Sequence, residues 1–228
     1  MKMGRVLAAF VVILLAMSLA GCYNESYFFS FMEEQDTANE EGAWLMTDTG
    51  INSIIDYGIY LNGDEATAPL MFRGDFRVTF NFWLGATVEK PAYVSMVLSS
   101  IPASEDPADW LTVSMQNLGT EDEGLAISEG HELEEAELFA LDEEIPGLNK
   151  DHWNKAILEK KGSNFKLTIN GRKTATFDIG LYAAEYFTLN FYSESDLEQD
   201  PEDPKLGFII KDVKVDYTEG NSEELPTG

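Results

Sequence analysis

Residues 153–179 read WNKAILEKKGSNFKLTINGRKTATFDI, and this stretch decides the fold class. Phe165, Leu167 and Ile169 alternate with Lys166, Thr168 and Asn170, the pattern of a strand with one face buried and one face wet. Two turn signals divide the stretch. Asn170-Gly171 suits a type I′ turn, whose two central residues need positive φ, and Lys161-Gly162-Ser163-Asn164 supplies the other turn. The spacing predicts three antiparallel strands in a meander.

Working outward, the same two-residue period recurs. In residues 76–84, Phe76, Val78, Phe80, Phe82 and Leu84 line one face, and Arg77, Thr79, Asn81 and Trp83 line the other. Shorter runs predict strands at residues 44–46, 57–61, 93–99, 110–116, 125–128 and 186–192. Asn62-Gly63 reads as a further hairpin turn. The last strand, residues 206–217, changes phase between Ile210 and Val213, which calls for a β-bulge near Lys211-Asp212 or a crossing between sheets. The aromatic run from Tyr27 to Phe31 reads as an early strand packed on the body. Residues 132–144 are the exception: Leu133, Ala136, Ala140 and Leu141 fit helical spacing and predict one short helix. Residues 218–228 hold only Leu225 as an anchor and are expected to be disordered. About ten short strands, with at most one or two short helices and no βαβ alternation, predict an all-β antiparallel sandwich.

Four segments then carry a resemblance. Residues 71–78 (MFRGDFRV), Trp153-Asn154, Ile169-Asn170-Gly171 and residues 209–215 (IIKDVKV) together resemble the concanavalin A-like lectin/glucanase jelly roll, which laminin-G-like modules share. The resemblance spans most of residues 44–217. Members of that superfamily bind or cleave sugars, bind proteins, or hold structure, so it implies a fold more than an activity.

The N-terminal end has its own chemistry. Lys2 and Arg5 precede an unbroken apolar run, Val6 to Met17, too short to span a bilayer. Leu19-Ala20-Gly21-Cys22 resembles the lipobox of bacterial lipoproteins, which implies cleavage before Cys22, a diacylglycerol on its thiol and an acylated new N-terminus. Two or more acyl chains make anchoring stable. Tyr23, not Asp, follows the cysteine, which favours the outer membrane in a diderm organism. The expected organisation is a signal peptide over residues 1–21, a lipidated lead-in over 22–43, a sandwich over 44–217 and a tail over 218–228. Cys22 is the only cysteine, which excludes disulfides, thiolate nucleophiles and Cys-based metal sites once it is acylated. Cleavage removes two of the 15 Lys and Arg and none of the 41 Asp and Glu, leaving 13 cations against 41 carboxylates, a net charge of −28. Such a field argues against nucleic acid and anionic membrane surfaces as direct partners of the folded part.

Catalytic signals are sparse. Glucanases of the resembling superfamily carry a Glu-x-Asp-x-x-Glu strand, and Glu194-Ser195-Asp196-Leu197-Glu198 departs from it by one residue, so a solvated acidic loop is expected instead. Residues 126–130 (AISEG) approach a Gly-x-Ser-x-Gly elbow but lack its first glycine and a parallel sheet. His131 and His152 stay unassigned. No cofactor is expected. The alternative is a structural calcium, which jelly-roll relatives often hold, among loop carboxylates such as Asp196, Glu198, Asp200, Glu202 and Asp203. The outward strand residues Arg77, Asn81, Trp83, Trp110, Gln116, Asn190 and Tyr192 are the candidate ligand contacts, because rings stack on sugar C–H faces while amides and guanidinium meet hydroxyls. A membrane-anchored module that binds glycan without cleaving it is the leading expectation; a structural or protein-binding envelope lipoprotein and a glycoside-active enzyme follow.

Overall fold

The computed structural model describes residues 23–29, 44–46, 53–55, 58–61, 64–85, 92–101, 110–118, 121, 123–130, 137–142, 145–149, 152–178, 186–195 and 208–224. Every regular element among them is a strand. The first sheet orders β13 (Arg172–Asp178), β12 (Asn164–Ile169), β11 (Trp153–Lys161), β6 (Phe76–Leu84), β15 (Phe208–Tyr217), β4 (Gly58–Leu61) and β3 (Ser53–Ile55). Beyond the bulge in β15, β1 (Glu25–Phe29) takes the place of β4 as its neighbour. The second sheet orders β10 (Glu137–Asp142), β9 (Gly124–Gly130), β8 (Trp110–Leu118), β7 (Ala92–Ile101), β14 (Tyr186–Ser195), β5 (Asp64–Phe72) and β16 (Ser222–Glu224), with β2 (Leu45–Met46) also on β5. All pairings are antiparallel, and the two sheets form a sandwich.

The meander is as its turns dictate. β11, β12 and β13 are consecutive neighbours. Asn170 (φ 50°) and Gly171 (φ 77°) turn β12 into β13, and Gly162 (φ 58°) opens the other turn. β6 buries every second residue from Phe76 to Leu84. The phase change in β15 is a bulge: its register against β6 shifts between Lys211 and Lys214, and Asp212 takes the left-handed conformation at φ 52°. The aromatic run forms β1, with Tyr27 and Phe29 packed against the core.

Three expectations are corrected. Asn62-Gly63 lies outside the described residues, but the strands on either side, β4 and β5, belong to different sheets. The link therefore crosses between sheets and is no hairpin. Within the segment expected to be helical, residues 137–142 are a strand on β9, with a register irregularity between Leu138 and Ala140 that places both residues of an i, i+2 pair out of simple alternation. That irregularity mimics helical spacing in the sequence. Residues 218–224, expected to be disordered, are tied down by polar contacts: Ser222 and Glu223 pair with Phe72 and Met71, and the Arg73 N–H donates to the Asn221 carbonyl at 2.9 Å.

Inward side chains of both sheets meet in one apolar core. Phe80 of the first sheet lies edge-on to Phe191 of the second, ring centroids 4.9 Å apart, and Trp44 stacks on the same Phe191 at 5.9 Å. A small void lined by Phe80, Met96, Met115 and Phe191, among other apolar residues, sits between the sheets. Its walls are apolar, so it is a packing gap rather than a site for a polar ligand. Lys160 is the one charged side chain in this interior among the described residues. It is fully buried on an inward position, donates from Nζ to the Gly74 carbonyl at 2.8 Å, and lies about 6 Å from the rings of Phe76 and Phe187. Burial pushes its pKa down, against the opposing pull of Asp75.

Candidate functional site

Several residues behind the jelly-roll resemblance hold the scaffold together. Buried Asn154 accepts from Asn149 N–H and from Asn170 Nδ2, both at 2.8 Å, and donates to the carbonyls of Asn149 and His152, both at 2.9 Å. Asn170 Nδ2 also donates to the Gly147 carbonyl at 2.8 Å. Two asparagines thus clamp residues 147–149 against the β12–β13 turn. At the opposite end of the sandwich, Asp75 accepts from Gly162 N–H at 2.8 Å, and the Arg73 guanidinium lies over the Tyr186 ring at 5.0 Å.

The candidate ligand contacts fall on two faces that point in opposite directions. Arg77, Asn81 and Trp83 are outward on the first sheet, and each is engaged there. Arg77 pairs with Glu159 at 2.9 Å and covers the Tyr23 ring at 5.2 Å. Glu159 is drawn two ways: burial raises its pKa, but hydrogen bonds from Arg77 and Lys161 outweigh burial and leave it lowered. Burial, and next the Glu159 charge, push the Tyr23 phenol up to about 12. Asn81 Nδ2 donates to Asp212 Oδ2 at 2.9 Å, so the left-handed residue at the bulge has a partner across the strand. Trp83 meets Trp153 edge-on with centroids 6.0 Å apart, and Lys211 Nζ sits 4.0 Å from the Trp153 ring centroid.

Gln116, Asn190 and Tyr192 are outward on the second sheet, opposite the core residues Met115, Leu189 and Phe191. Trp110 stands in register with Ser99 and Gly130 at the start of β8. This face has a different chemistry from the first. Its middle is a row of small polar groups: Ser95 and Ser114 Oγ are 3.0 Å apart, Tyr93 Oη is 3.0 Å from Ser114 Oγ, and Asn190 Nδ2 donates to Ser99 Oγ at 3.4 Å. Tyr93 and Tyr192 form an edge-on pair above it, 6.3 Å between centroids. Ser95, Thr112, Ser114, Thr188 and Asn190 are all at most 6 % exposed, and Thr188 Oγ1 has no hydrogen-bond partner among the described residues. The sequence reading missed Tyr93 and Ser95, although the alternation Tyr93-Val94-Ser95-Met96 carried the signal.

Other sequence candidates fare differently. Ser128 lies in mid-strand, paired with both Thr112 and Leu138, so no nucleophile elbow forms at residues 126–130. Glu194 pairs in register with Tyr93 near the end of β14, whereas Asp196, Glu198 and the other proposed calcium carboxylates lie outside the described residues. His131 also lies outside them, as does Cys22; His152 is exposed and supplies its carbonyl to Asn154. Among the described residues no group of three His, Cys, Asp or Glu is placed to hold a metal ion. The outward second-sheet positions with described side chains include two carboxylates, Glu65, whose pKa burial raises, and Glu223, which accepts from the Tyr186 hydroxyl at 2.7 Å.

No protein-family model and no curated protein matches the sequence. Solved structures match the fold. A protein of unknown function with a galectin-like fold from Bacillus subtilis superposes with a TM-score of 0.61 at 14% identity, over 87% of this chain and 96% of that one. The carbohydrate recognition domain of Emp46p gives 0.59 at 11% identity, over 76% and 88% of the two chains. A glycoside hydrolase family 16 endo-glucanase from Bacteroides ovatus gives 0.57 at 13% identity, over 87% and 99%. At such identities the likeness is one of architecture, and the chain is a galectin-like, glucanase-like jelly-roll sandwich.

Proposed function

We propose that this protein is an envelope lipoprotein, anchored through acylated Cys22, whose sandwich binds glycan without cleaving it. The outward face of the second sheet is the binding face. The observation that carries this reading is the Tyr93–Tyr192 pair standing over an uncharged floor of hydroxyls and amides. Rings supply a flat apolar surface for sugar C–H groups, and hydroxyls that both donate and accept match a neutral saccharide. The orphaned Thr188 hydroxyl would gain a partner from a bound hydroxyl. Two of the similar folds are a carbohydrate recognition domain and a glucanase, which supports the same class of ligand.

Titration with a panel of neutral oligosaccharides, followed by intrinsic fluorescence, tests the binding face. Saturable binding that Tyr192→Ala weakens by tenfold or more, or about 1.4 kcal/mol, is expected; retained affinity in Tyr192→Ala and Tyr93→Ala would refute the site. Anchoring is tested by membrane fractionation, where Cys22→Ala should release the protein to the soluble fraction. The near-complete burial of the polar floor favours one second reading, a structural or protein-binding lipoprotein whose face is already covered. Absence of binding by every glycan would select it, whereas release of reducing sugar would select the enzyme.

A further inference from the structure

The chain carries 15 Lys and Arg against 41 Asp and Glu, yet its described cations are not spread evenly. Outward positions of the first sheet hold Arg77 on β6, Lys155 and Lys161 on β11, and Lys166 on β12. Lys173 on β13 and Lys211 and Lys214 on β15 complete the set. Four carboxylates share these positions: Glu159, Asp178, Asp212 and Asp216. On the described strand positions seven cations against four carboxylates give this face net +3, or net +2 with Asp75, whose charge also acts on Tyr23, on a chain of net −26. Lys155, Lys166, Lys173 and Lys211 enter no ion pair among the described residues. The same face carries Phe28, 58 % exposed and in register with Lys214, and the Trp83–Trp153 pair.

Tyr23 ties this face to the N-terminus. Its ring lies under the outward Arg77 guanidinium, and Cys22 is the residue before it. We infer that the outward face of the first sheet lies flat on an anionic membrane surface, with Trp83 and Trp153 at headgroup level. The inference rests on the reading of Cys22 as the lipid-bearing residue. From Arg77 to Trp83 the strand runs six residues, about 20 Å. A domain standing upright on its lipid would hold the tryptophan pair that far from the bilayer; a domain lying flat brings it to the interface, where tryptophan and lysine side chains are favoured. The anchor supplies proximity that the net charge alone would oppose, and the field of the surface then turns the basic face inward and the acidic remainder outward.

The test couples the chain through Cys22, its only cysteine, to a maleimide-bearing lipid, so the tether is present whether or not cells acylate that residue. The coupled protein is placed on vesicles with brominated acyl chains, made of phosphatidylcholine alone or with phosphatidylglycerol. Tryptophan quenching several-fold stronger on the anionic vesicles is expected. It should fade near 1 M salt, where the screening length falls to about 3 Å. Trp83→Phe with Trp153→Phe should abolish the difference between the two vesicle types. Lys155→Glu with Lys211→Glu should reduce quenching to the neutral-vesicle level at a melting temperature within about 4 °C of the parent, the loss of the Lys211–Trp153 contact included, and Lys155→Gln with Lys211→Gln should fall between. Equal quenching on both vesicle types, or full quenching in the charge-reversed variant, overturns the inference. So does salt-sensitive capture of an acidic polysaccharide without vesicle quenching, which would assign the face to a polymer instead. Failure here leaves acylation of Cys22 intact, because fractionation of Cys22→Ala tests that separately.

Discussion

Replacing Asn154 by alanine removes all four hydrogen bonds of its side chain, two accepted and two donated. Each neutral bond contributes about 1 kcal/mol net. Asn154 is nearly fully buried, but Asn149 is exposed and can recover water for its backbone groups. The loss is therefore set at about 3 to 4 kcal/mol rather than at the larger penalty of four stranded groups. For a domain of 150–250 residues each kcal/mol moves the melting temperature by about 2–4 °C, so Asn154→Ala should melt about 6–16 °C below the parent protein. Thermal unfolding followed by near-ultraviolet circular dichroism measures it. Asn149→Ala is the control, because the network uses its backbone alone, and it should stay within about 0.5 kcal/mol of the parent. A melting temperature for Asn154→Ala within about 2 °C of the parent would mean that the clamp on residues 147–149 contributes little.

Two further perturbations probe the interior and the second sheet. Phe80→Ala removes a ring packed against Phe82 and Phe191 beside an existing void, so the cavity enlarges where collapse is already incomplete, and a loss of about 3–5 kcal/mol is expected in denaturant unfolding. For Glu65, burial raises the pKa in the folded state, so that state holds the proton more tightly and is penalised once pH rises above the ordinary carboxylate range. Glu65→Gln should raise the melting temperature at neutral pH and leave it nearly unchanged near about pH 4, which paired melts at the two values will check.

The inward faces were legible because alternation over a long strand has one reading. Phe76, Val78, Phe80 and Phe82 could only point together, and the slip between Ile210 and Val213 could only be a bulge or a crossing. What escaped was whatever depends on non-local partners. Asn62-Gly63 has hairpin chemistry, yet the sheet to which each flanking strand belongs is settled by pairings far along the chain. Residues 218–224 have little to bury, and they are held by polar contacts with Phe72, Arg73 and Tyr186 that local composition does not reveal. Arg77, Asn81, Trp83, Gln116, Asn190 and Tyr192 stand on outward positions, but strand alternation cannot say that Arg77 and Tyr192 look in opposite directions. Nor can a net charge say where the cations sit.

The opposition of the two faces constrains both proposals together. A sandwich has two outward surfaces, and here they differ in kind: one carries cations, the docked Tyr23 and, at its far end, the tryptophan pair, the other offers hydroxyls, amides and tyrosines. With β1 paired to β15, the N-terminus enters on the first sheet, so a lipid on Cys22 places that sheet nearer the membrane. The Tyr93–Tyr192 face then lies across the thickness of the sandwich, whose sheets pack about 10 Å apart, and is directed away from the bilayer. If both proposals hold, a ligand of that face is a soluble or polymeric molecule reaching the protein from the aqueous side, not a headgroup of the membrane. Oligosaccharide binding should therefore have the same affinity for the lipid-coupled protein on vesicles as for the uncoupled chain in solution. A loss of binding on vesicles would show that the two faces have been assigned the wrong way round.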